Sequence, residues 1–557
     1  MVTTTLPWGD TMDFQLADIF EAGARAIPDR LALAWGGGPT GDGELTYDAL
    51  DRAANQVARL LTDHGVSAQD RVGVHGYNHA SFIVVTLACF KLAAVPINAS
   101  YRYTATELAY VFADAGVQVV VTEPELGDVV ADASALMPHD LESIITFGDE
   151  LDAAATALED APLTVTGRSG DNRYILYTGG TTGMPKGVVW RHEDIFFGAL
   201  GGDGVPRQGF PALTDPADAG AWASAGNPVR VRMPLCPLIH GGAQWVALTT
   251  ILSGGTLVLA TDRSFDAATA WRLADRFDVE LIMVIGDAVA RPLLDALPAG
   301  HTAFPALRFI SSSGAPLSAR MRVELTEALG DVRILDRYGA SETGGHGRLL
   351  EPDGSGRLRL RGDATTAVLD DEGHVISPGS RTVGRLARRG HIPLEYWNDP
   401  AKTATTFPIY DGQRWAVPGD LATVESDGTI VVLGRGSIVI NSGGEKIFPE
   451  EVENVIKAFA PVQDCLVVGL PDDRFGQRVV AVISLRGKSA TRPAASAALP
   501  SLAPDDLVAE LIAHCRQQLA GYKIPKRFVI VDAVERKITG KADYDWARRV
   551  ATGTLVE

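Results

Sequence analysis

One stretch of the chain gathers hydroxyls, glycines and a single lysine in a way that could do chemistry: Tyr174-Ile175-Leu176-Tyr177-Thr178-Gly179-Gly180-Thr181-Thr182-Gly183-Met184-Pro185-Lys186-Gly187-Val188. The apolar residues before Thr178 read as a strand and the rest as a loop. Glycines let backbone N–H groups approach an anion, threonine hydroxyls add donors and Lys186 adds a point charge. The run therefore suits a polyphosphate. It is not the loop that opens a helix with Gly-Lys-Ser/Thr, because Pro185 precedes the lysine and Gly187 follows it.

The elements that must hold such a loop are legible in outline. With 557 residues the chain is too long for one compact core, and at least two domains are expected. Helical spacing over Thr46 to His64, Ala80 to Leu92 and Leu108 to Ala115 alternates with strand-like Arg71 to His75, Gln118 to Thr122, Thr256 to Leu259, Leu281 to Ile285 and Leu307 to Ser311. Such alternation predicts layered α/β sheets, largely parallel. From Leu358 to Arg435, short strands broken by Gly, Pro and Asp predict a small barrel or sheet. Beyond Arg435, strands at Ala460 to Leu470 and Arg478 to Leu485 and a helix at Leu507 to Leu519 predict a second, smaller α+β unit. The expected division is 1–434 and 435–557. Gly201 to Pro228 and Ser489 to Pro504 are turn-rich and read as poor places to look for chemistry.

Composition narrows the class. The formal net charge of −19 disfavours a nonspecific hold on nucleic acid or anionic lipid, so any phosphate needs a specific local site. Cys89, Cys236, Cys465 and Cys515 are far apart with no C-x-x-C pair, which predicts neither a zinc knuckle nor a disulfide framework and fits a reducing cytoplasm. The longest apolar stretch, Phe82 to Val95, contains Lys91 and is too short to span a bilayer, so no membrane segment is expected.

The glycine–threonine loop resembles the phosphate loop of the ANL superfamily: acyl-CoA synthetases, peptide-synthetase adenylation domains and luciferases. Further matches follow in order. Ser313-Gly314-Ala315-Pro316 resembles the adenine-side loop, and Tyr338-Gly339-Ala340-Ser341-Glu342-Thr343, with Asp336 upstream, resembles the Tyr-Gly-x-x-Glu motif. Gly419-Asp420 resembles the ribose-binding pair. Gly434-Arg435, with Ser442-Gly443-Gly444-Glu445-Lys446-Ile447, resembles the hinge and the start of a mobile C-terminal domain. Tyr522-Lys523-Ile524-Pro525 and Thr539-Gly540-Lys541 resemble the last two motifs. The resemblance runs from about Phe14 to Arg548.

It implies roles. A carboxylate is a poor acylating agent, so the family joins it to AMP with loss of pyrophosphate, and a thiol then displaces AMP; both steps need negative charge stabilised on phosphates. Glu342 is implied as the Mg²⁺ ligand with Thr178 nearby, and Thr343 as an α-phosphate contact. Ser313, Gly314, Ala315, Pro316, Asp336, Tyr338 and Gly339 are implied on the nucleotide, and Asp420 and Arg435 on its ribose. Lys541 is implied to bridge the carboxylate and the α-phosphate. His240, in Pro237-Leu238-Ile239-His240-Gly241-Gly242, is implied beside the acyl carboxylate, with Gly241 and Gly242 leaving room for a long or bulky acyl group. Ser437, where the family usually has Asp or Lys, joins Gly443, Gly444 and Lys446 at the hinge and CoA side.

No acidic residue occurs from Pro234 to Thr250, where amino-acid-activating relatives pair an Asp with the α-amine, so the acid is expected to lack an α-ammonium. The expected activity is an ATP-dependent carboxylic acid:CoA ligase with Mg²⁺ as cofactor and ATP, CoA and a medium- or long-chain fatty acid or sterol side-chain acid as substrates. The alternative is an acyl-AMP ligase that loads a carrier protein. A homodimer is compatible with this reading; a nucleic-acid partner is not expected.

Overall fold

A computed structural model describes residues 13–39, 41–178, 184–205, 209–297, 304–315, 317–336, 338–350, 358–442, 445–472, 475–486, 501–502, 505–537 and 541–553. Two seven-stranded sheets and a six-stranded antiparallel sheet carry most of the chain, and a fourth sheet follows them. The first runs Arg333–Asp336, Phe309–Ser312, Leu281–Val284, Val231–Pro234, Thr256–Ala260, Leu31–Gly36 and Gly43–Thr46, parallel except for its last pair. The second runs Glu395–Tyr396, Lys186–Arg191, Arg173–Thr178, Val95–Ala99, Arg71–His75, Val117–Thr122 and Ser143–Thr146. Its Arg173–Thr178 strand is parallel to Val95–Ala99 and antiparallel to Lys186–Arg191, the next strand in the chain. Layered, largely parallel α/β sheets are thus what the fold contains.

The helix Ala80–Lys91 shows why the chain needs both large sheets. All twelve of its residues are buried, with no polar face, as expected for a helix enclosed by the core. Its one charge, Lys91, is 0% exposed and donates to Glu21 Oε1 at 2.7 Å and Asp51 Oδ1 at 2.8 Å. Two carboxylates on neighbouring helices satisfy a lysine that burial alone would expel. Among the described residues no helix is long and apolar enough to cross a membrane.

The region expected as a small barrel or sheet is the six-stranded antiparallel sheet, ordered Arg348–Leu349, Leu358–Arg361, Ile430–Arg435, Asp420–Val424, Gly384–Arg388 and Thr366–Leu369. Past Arg435 a fourth sheet begins with Ile440–Ser442 and includes the long hairpin Val462–Asp472 and Gly476–Leu485. Helices Pro449–Ala458 and Asp505–Arg516 pack on its core. Some bounds differ from expectation: the strand expected from Leu307 begins at Phe309, because the Leu307 N–H closes a turn onto Phe304 O, the strand expected over Ala460 to Leu470 is Val462–Asp472, and the helix expected over Leu507 to Leu519 is Asp505–Arg516. All four cysteines are buried and free. Of the expected loop 489–504, residues 489–500 and 503–504 lie outside the described residues, and Ser501–Leu502 pairs as a short strand with Arg527–Val531.

Candidate active site

A cavity of about 2210 Å³ is lined by strands of both large sheets, by Asn98 and Thr178 in one and by Met283, Phe309 and Ser311 in the other. Single-ligand pockets span roughly 300–1,000 Å³, so this one has room for more than one substrate. Its axis follows the helix Gly241–Leu252: Gly241, Trp245 and Thr249, four residues apart, line it together with Gly242 and Val246. Opposite them are alternate residues of facing strands: Met283, and Phe309 with Ser311. At 1.5 Å per residue, Gly241 to Thr249 spans about 12 Å of wall.

His240 stands at the head of this helix, extended at φ −97°, ψ 136°, and its side chain caps nothing. The first N–H groups of the helix, at Gly241, Gly242 and Ala243 on the cavity wall, lie at the positive end of its dipole. His240 Nε2 is buried with no hydrogen-bond partner among the described residues. Burial first, then the charges of Lys541 and Arg102, lowers the imidazole pKa to about 4. It is neutral near pH 7, with a free nitrogen beside two cations.

Asn98 fixes that loop to the strand before the phosphate loop. It is 6% exposed; its Nδ2 donates to Tyr177 O at 2.9 Å and Ile239 O at 2.7 Å, and its Oδ1 accepts from Tyr177 N–H at 2.8 Å. One amide thereby sets Thr178 against His240.

Glu342 is half-buried, and one of its oxygens accepts from Tyr396 Oη at 2.7 Å. Its other oxygen has no hydrogen bond among the described residues. Trp190 Nε1 holds the same loop by donating to Ser341 O at 3.0 Å. Lys186 is ion-paired with Asp399 and lies 6.0 Å from the Tyr396 ring centroid. Tyr396 therefore sits between the loop lysine and Glu342. Asp399 caps the helix Pro400–Thr406 with Oδ1 and meets Lys186 with Oδ2.

Gly339–Ala340 and Gly344–Gly345 pair as a tight hairpin in which a Cβ on Gly339 would lie 2.1 Å from Gly344 O, so only glycine fits there. Thr343, expected on the α-phosphate, is engaged here within its own turn. It is 0% exposed, accepts from Ala340 N–H at 3.1 Å and donates to Gly344 O at 3.0 Å. Its hydroxyl closes that turn from both sides. Gly241, on the cavity wall, also lets helix and strand approach, because an added Cβ would strike Leu176 Cδ2 at 2.5 Å. At Gly242 the added Cβ would face Met283 Cε at 3.1 Å and Ser313 Oγ at 3.3 Å, both on cavity-lining residues. The turn-rich segment Gly201 to Pro228 brings Asp203, Gly204, Val205, Asn227 and Pro228 to the cavity wall.

Ser313, Gly314, Tyr338 and Gly339 line the cavity as well, with Ala315 next to Gly314 packed against the main core. Asp420, 5% exposed, lies directly across the strand register from Arg435. Lys541 comes from the far end of the chain and lines the same cavity as His240. Lys537 N–H donates to Lys541 O at 2.8 Å, and Arg536 is bound to Asp464 through Nε at 2.9 Å and Nη2 at 2.7 Å, which ties this segment to the fourth sheet. Gly179, Gly180, Thr181, Thr182, Gly183, Pro316, Gly443 and Gly444 lie outside the described residues. For Asp336, Arg435, Ser437 and Lys446 the backbone alone is described, at the strand ends Arg333–Asp336 and Ile430–Arg435, the turn Gly436–Ile438 and the strand Glu445–Ile447.

Asn98, Tyr396 and Asp399 escaped the reading of the sequence. Asp399-Pro400 does carry a helix-start signal, which marks the capping carboxylate though not its lysine.

A family model described as AMP-binding enzyme matches residues 20–396, and one described as AMP-binding enzyme C-terminal domain matches 451–541. A medium/long-chain-fatty-acid–CoA/3-oxocholest-4-en-26-oate–CoA ligase of Mycolicibacterium smegmatis is 40% identical over 97% of both chains. A 3-oxocholest-4-en-26-oate–CoA ligase of Rhodococcus rhodochrous is 39% identical over 96% of both. The anthranilate CoA ligase AuaEII in complex with anthranoyl-AMP shares the fold, with TM-score 0.80 over 97% of this chain and 98% of that one, at 22% identity.

Proposed function

The chain belongs to the AMP-binding enzyme family of AMP-forming acid–thiol ligases, and from that premise we propose an ATP-dependent ligase that joins CoA to a long or bulky carboxylic acid through an acyl-AMP intermediate. The observation that carries the proposal is the meeting of Lys541 and His240 in a cavity that continues along an apolar helix wall. A carboxylate entering there meets the ammonium of Lys541 and the open N-terminus of the Gly241–Leu252 helix, while neutral His240 does not compete as an acid. Attack of the carboxylate oxygen on the α-phosphorus forms the mixed anhydride and expels pyrophosphate. Lys541 then stabilises charge shared between the attacking oxygen and the phosphate. Attack of the CoA thiolate on the acyl carbonyl releases AMP.

Glu342 fits Mg²⁺: a hard cation takes carboxylate oxygen, and this carboxylate is steadied by Tyr396 on one side and unengaged on the other. Thr178 is the second donor, and the ion supplies charge neutralisation on the phosphates. Lys186, delivered between Asp399 and Tyr396, supports the outer phosphates. Asp420 and Arg435, opposite in register, suit the ribose hydroxyls. Ser313, Gly314, Tyr338 and Gly339 suit the nucleobase side. The division into 1–434 and a C-terminal unit that turns between the two steps belongs to the same proposal, as does a role for Ser437, Gly443, Gly444 and Lys446 at the hinge.

Absence of any acidic residue from Pro234 to Thr250 supports an acid without an α-ammonium. Pyrophosphate release should be followed with ATP, Mg²⁺ and a panel of short, long and sterol-sized acids, and thioester formation with either CoA or a carrier protein. Release with long or bulky acids and thioester formation on CoA is the expected outcome. No acid-dependent pyrophosphate, or thioester on the carrier protein alone, defeats the proposal.

A further inference from the structure

The cavity wall carries a charge that the reaction does not use. Arg388, at the end of the strand Gly384–Arg388 in the antiparallel sheet, lines the cavity and is 9% exposed. A guanidinium has five N–H donors and no acceptor, yet this one makes no hydrogen bond among the described residues, and its Nε is buried without a partner. Its ion pair among the described residues is loose: Asp363 Oδ2 stands 3.8 Å from Nη1, beyond hydrogen-bond reach. Asp363 is held elsewhere, its Oδ1 accepting from Thr365 N–H at 2.9 Å, Thr365 Oγ1 at 2.6 Å and Thr366 Oγ1 at 3.1 Å. It can balance the charge of Arg388 but leaves the donors unspent. Beside Arg388 is His346, 1% exposed, with neither ring nitrogen bonded.

We propose that Arg388 is a specificity-determining residue that donates a hydrogen bond to a keto oxygen at the end of the acid remote from its carboxylate. A hydrocarbon terminus would displace water and leave buried donors unpaired, an expensive outcome. A second carboxylate is disfavoured, because Asp363 and Asp203 both bear on the same guanidinium. A neutral acceptor meets both conditions. In a 3-oxocholest-4-en-26-oate skeleton, which appears in the names of the relatives, the oxo group and the carboxylate are at opposite ends, so one acid presents a neutral acceptor well away from its reacting group. The inference rests on the reading of the chain as an acid:CoA ligase.

The test uses the full chain and two acids that differ in one atom group, 3-oxocholest-4-en-26-oate and cholest-4-en-26-oate, with palmitate as a third. For each, kcat/KM of acyl-CoA formation is measured. The wild type should prefer the keto acid roughly 10- to 100-fold, the value of a hydrogen bond to a charged donor. Arg388→Met should bring the ratio of keto to deoxo acid to about one, and Arg388→Lys should restore part of it. A wild-type ratio near one overturns the inference without recourse to any variant. Equal losses on both sterol acids in Arg388→Met also overturn it, since they signal a structural role. Failure to form acyl-CoA from all three acids defeats the ligase reading itself, a separate result from either.

Discussion

Replacing Asn98 with alanine should cost both stability and rate, and the structure sets the scale. The substitution strips partners from three buried backbone groups, Tyr177 N–H, Tyr177 C=O and Ile239 C=O. A buried polar group left unsatisfied costs about 1–3 kcal/mol. Asn98 borders the cavity, so water can reach the vacated space, and the low end applies: about 3 kcal/mol in total. The tether also sets Thr178 against His240, and a misplacement of about 1 Å between reacting groups costs on the order of 10² in rate. Asn98→Asp keeps the shape and the Tyr177 N–H bond but turns a carboxylate toward two carbonyl oxygens, so it should lose comparable rate. Urea denaturation gives the stability term; pyrophosphate release at saturating ATP and acid, well below the melting temperature, gives the rate. A folded Asn98→Ala enzyme with wild-type kcat would refute the tether as a positioning device. Unchanged stability would refute the three hydrogen bonds.

Lys541→Ala should slow acyl-AMP formation by roughly 10²–10³ while conversion of supplied acyl-AMP and CoA stays near wild type; equal losses in both steps would remove Lys541 from adenylation. Gly242→Trp, which fills the space toward Met283 and Ser313, should weaken long or bulky acids more than short ones, and the same loss at every length would contradict a pocket role. Burial lowers the pKa of His75 to about 4 and of His192 and His346 to about 3, from an ordinary 6.5. The unfolded chain then binds more protons, so their stabilisation is complete above pH 6.5 and declines as pH falls from 6.5 toward 4, by up to about 1.4 kcal/mol per unit for each histidine. Urea midpoints measured from pH 7 to 4.5 should fall accordingly, and a flat profile would contradict the buried neutral state.

What the sequence disclosed and what it withheld follow from the range over which each signal acts. The helices beginning at Tyr47 and Ala80 and the strand Arg71–His75 show in local periodicity, and the phosphate loop shows because its glycines and hydroxyls are consecutive. The fate of Thr343 depends on the closure of a hairpin, which turns its hydroxyl inward; spacing alone does not encode that direction. Asn98 lies in a wholly buried strand and reads as core, while its partners are 79 and 141 residues away. Arg388 looks like any arginine at the end of a strand until burial leaves its donors without partners. The segment from Gly201 to Pro228 lacks local chemistry, yet it forms part of the cavity wall because the chain folds it there.

Acid activation by transfer of AMP is the central claim, and the path of the carboxylate oxygens tests it most directly. The acid is prepared with heavy oxygen at both carboxylate positions, then incubated with ATP, Mg²⁺ and CoA. If the carboxylate attacks the α-phosphorus and the thiolate then attacks the carbonyl, the bridging oxygen leaves with AMP. One labelled oxygen should appear in each AMP, one should stay in the thioester carbonyl, and none should enter pyrophosphate. Label in inorganic phosphate with ADP as the nucleotide product, or AMP free of label, would contradict the account.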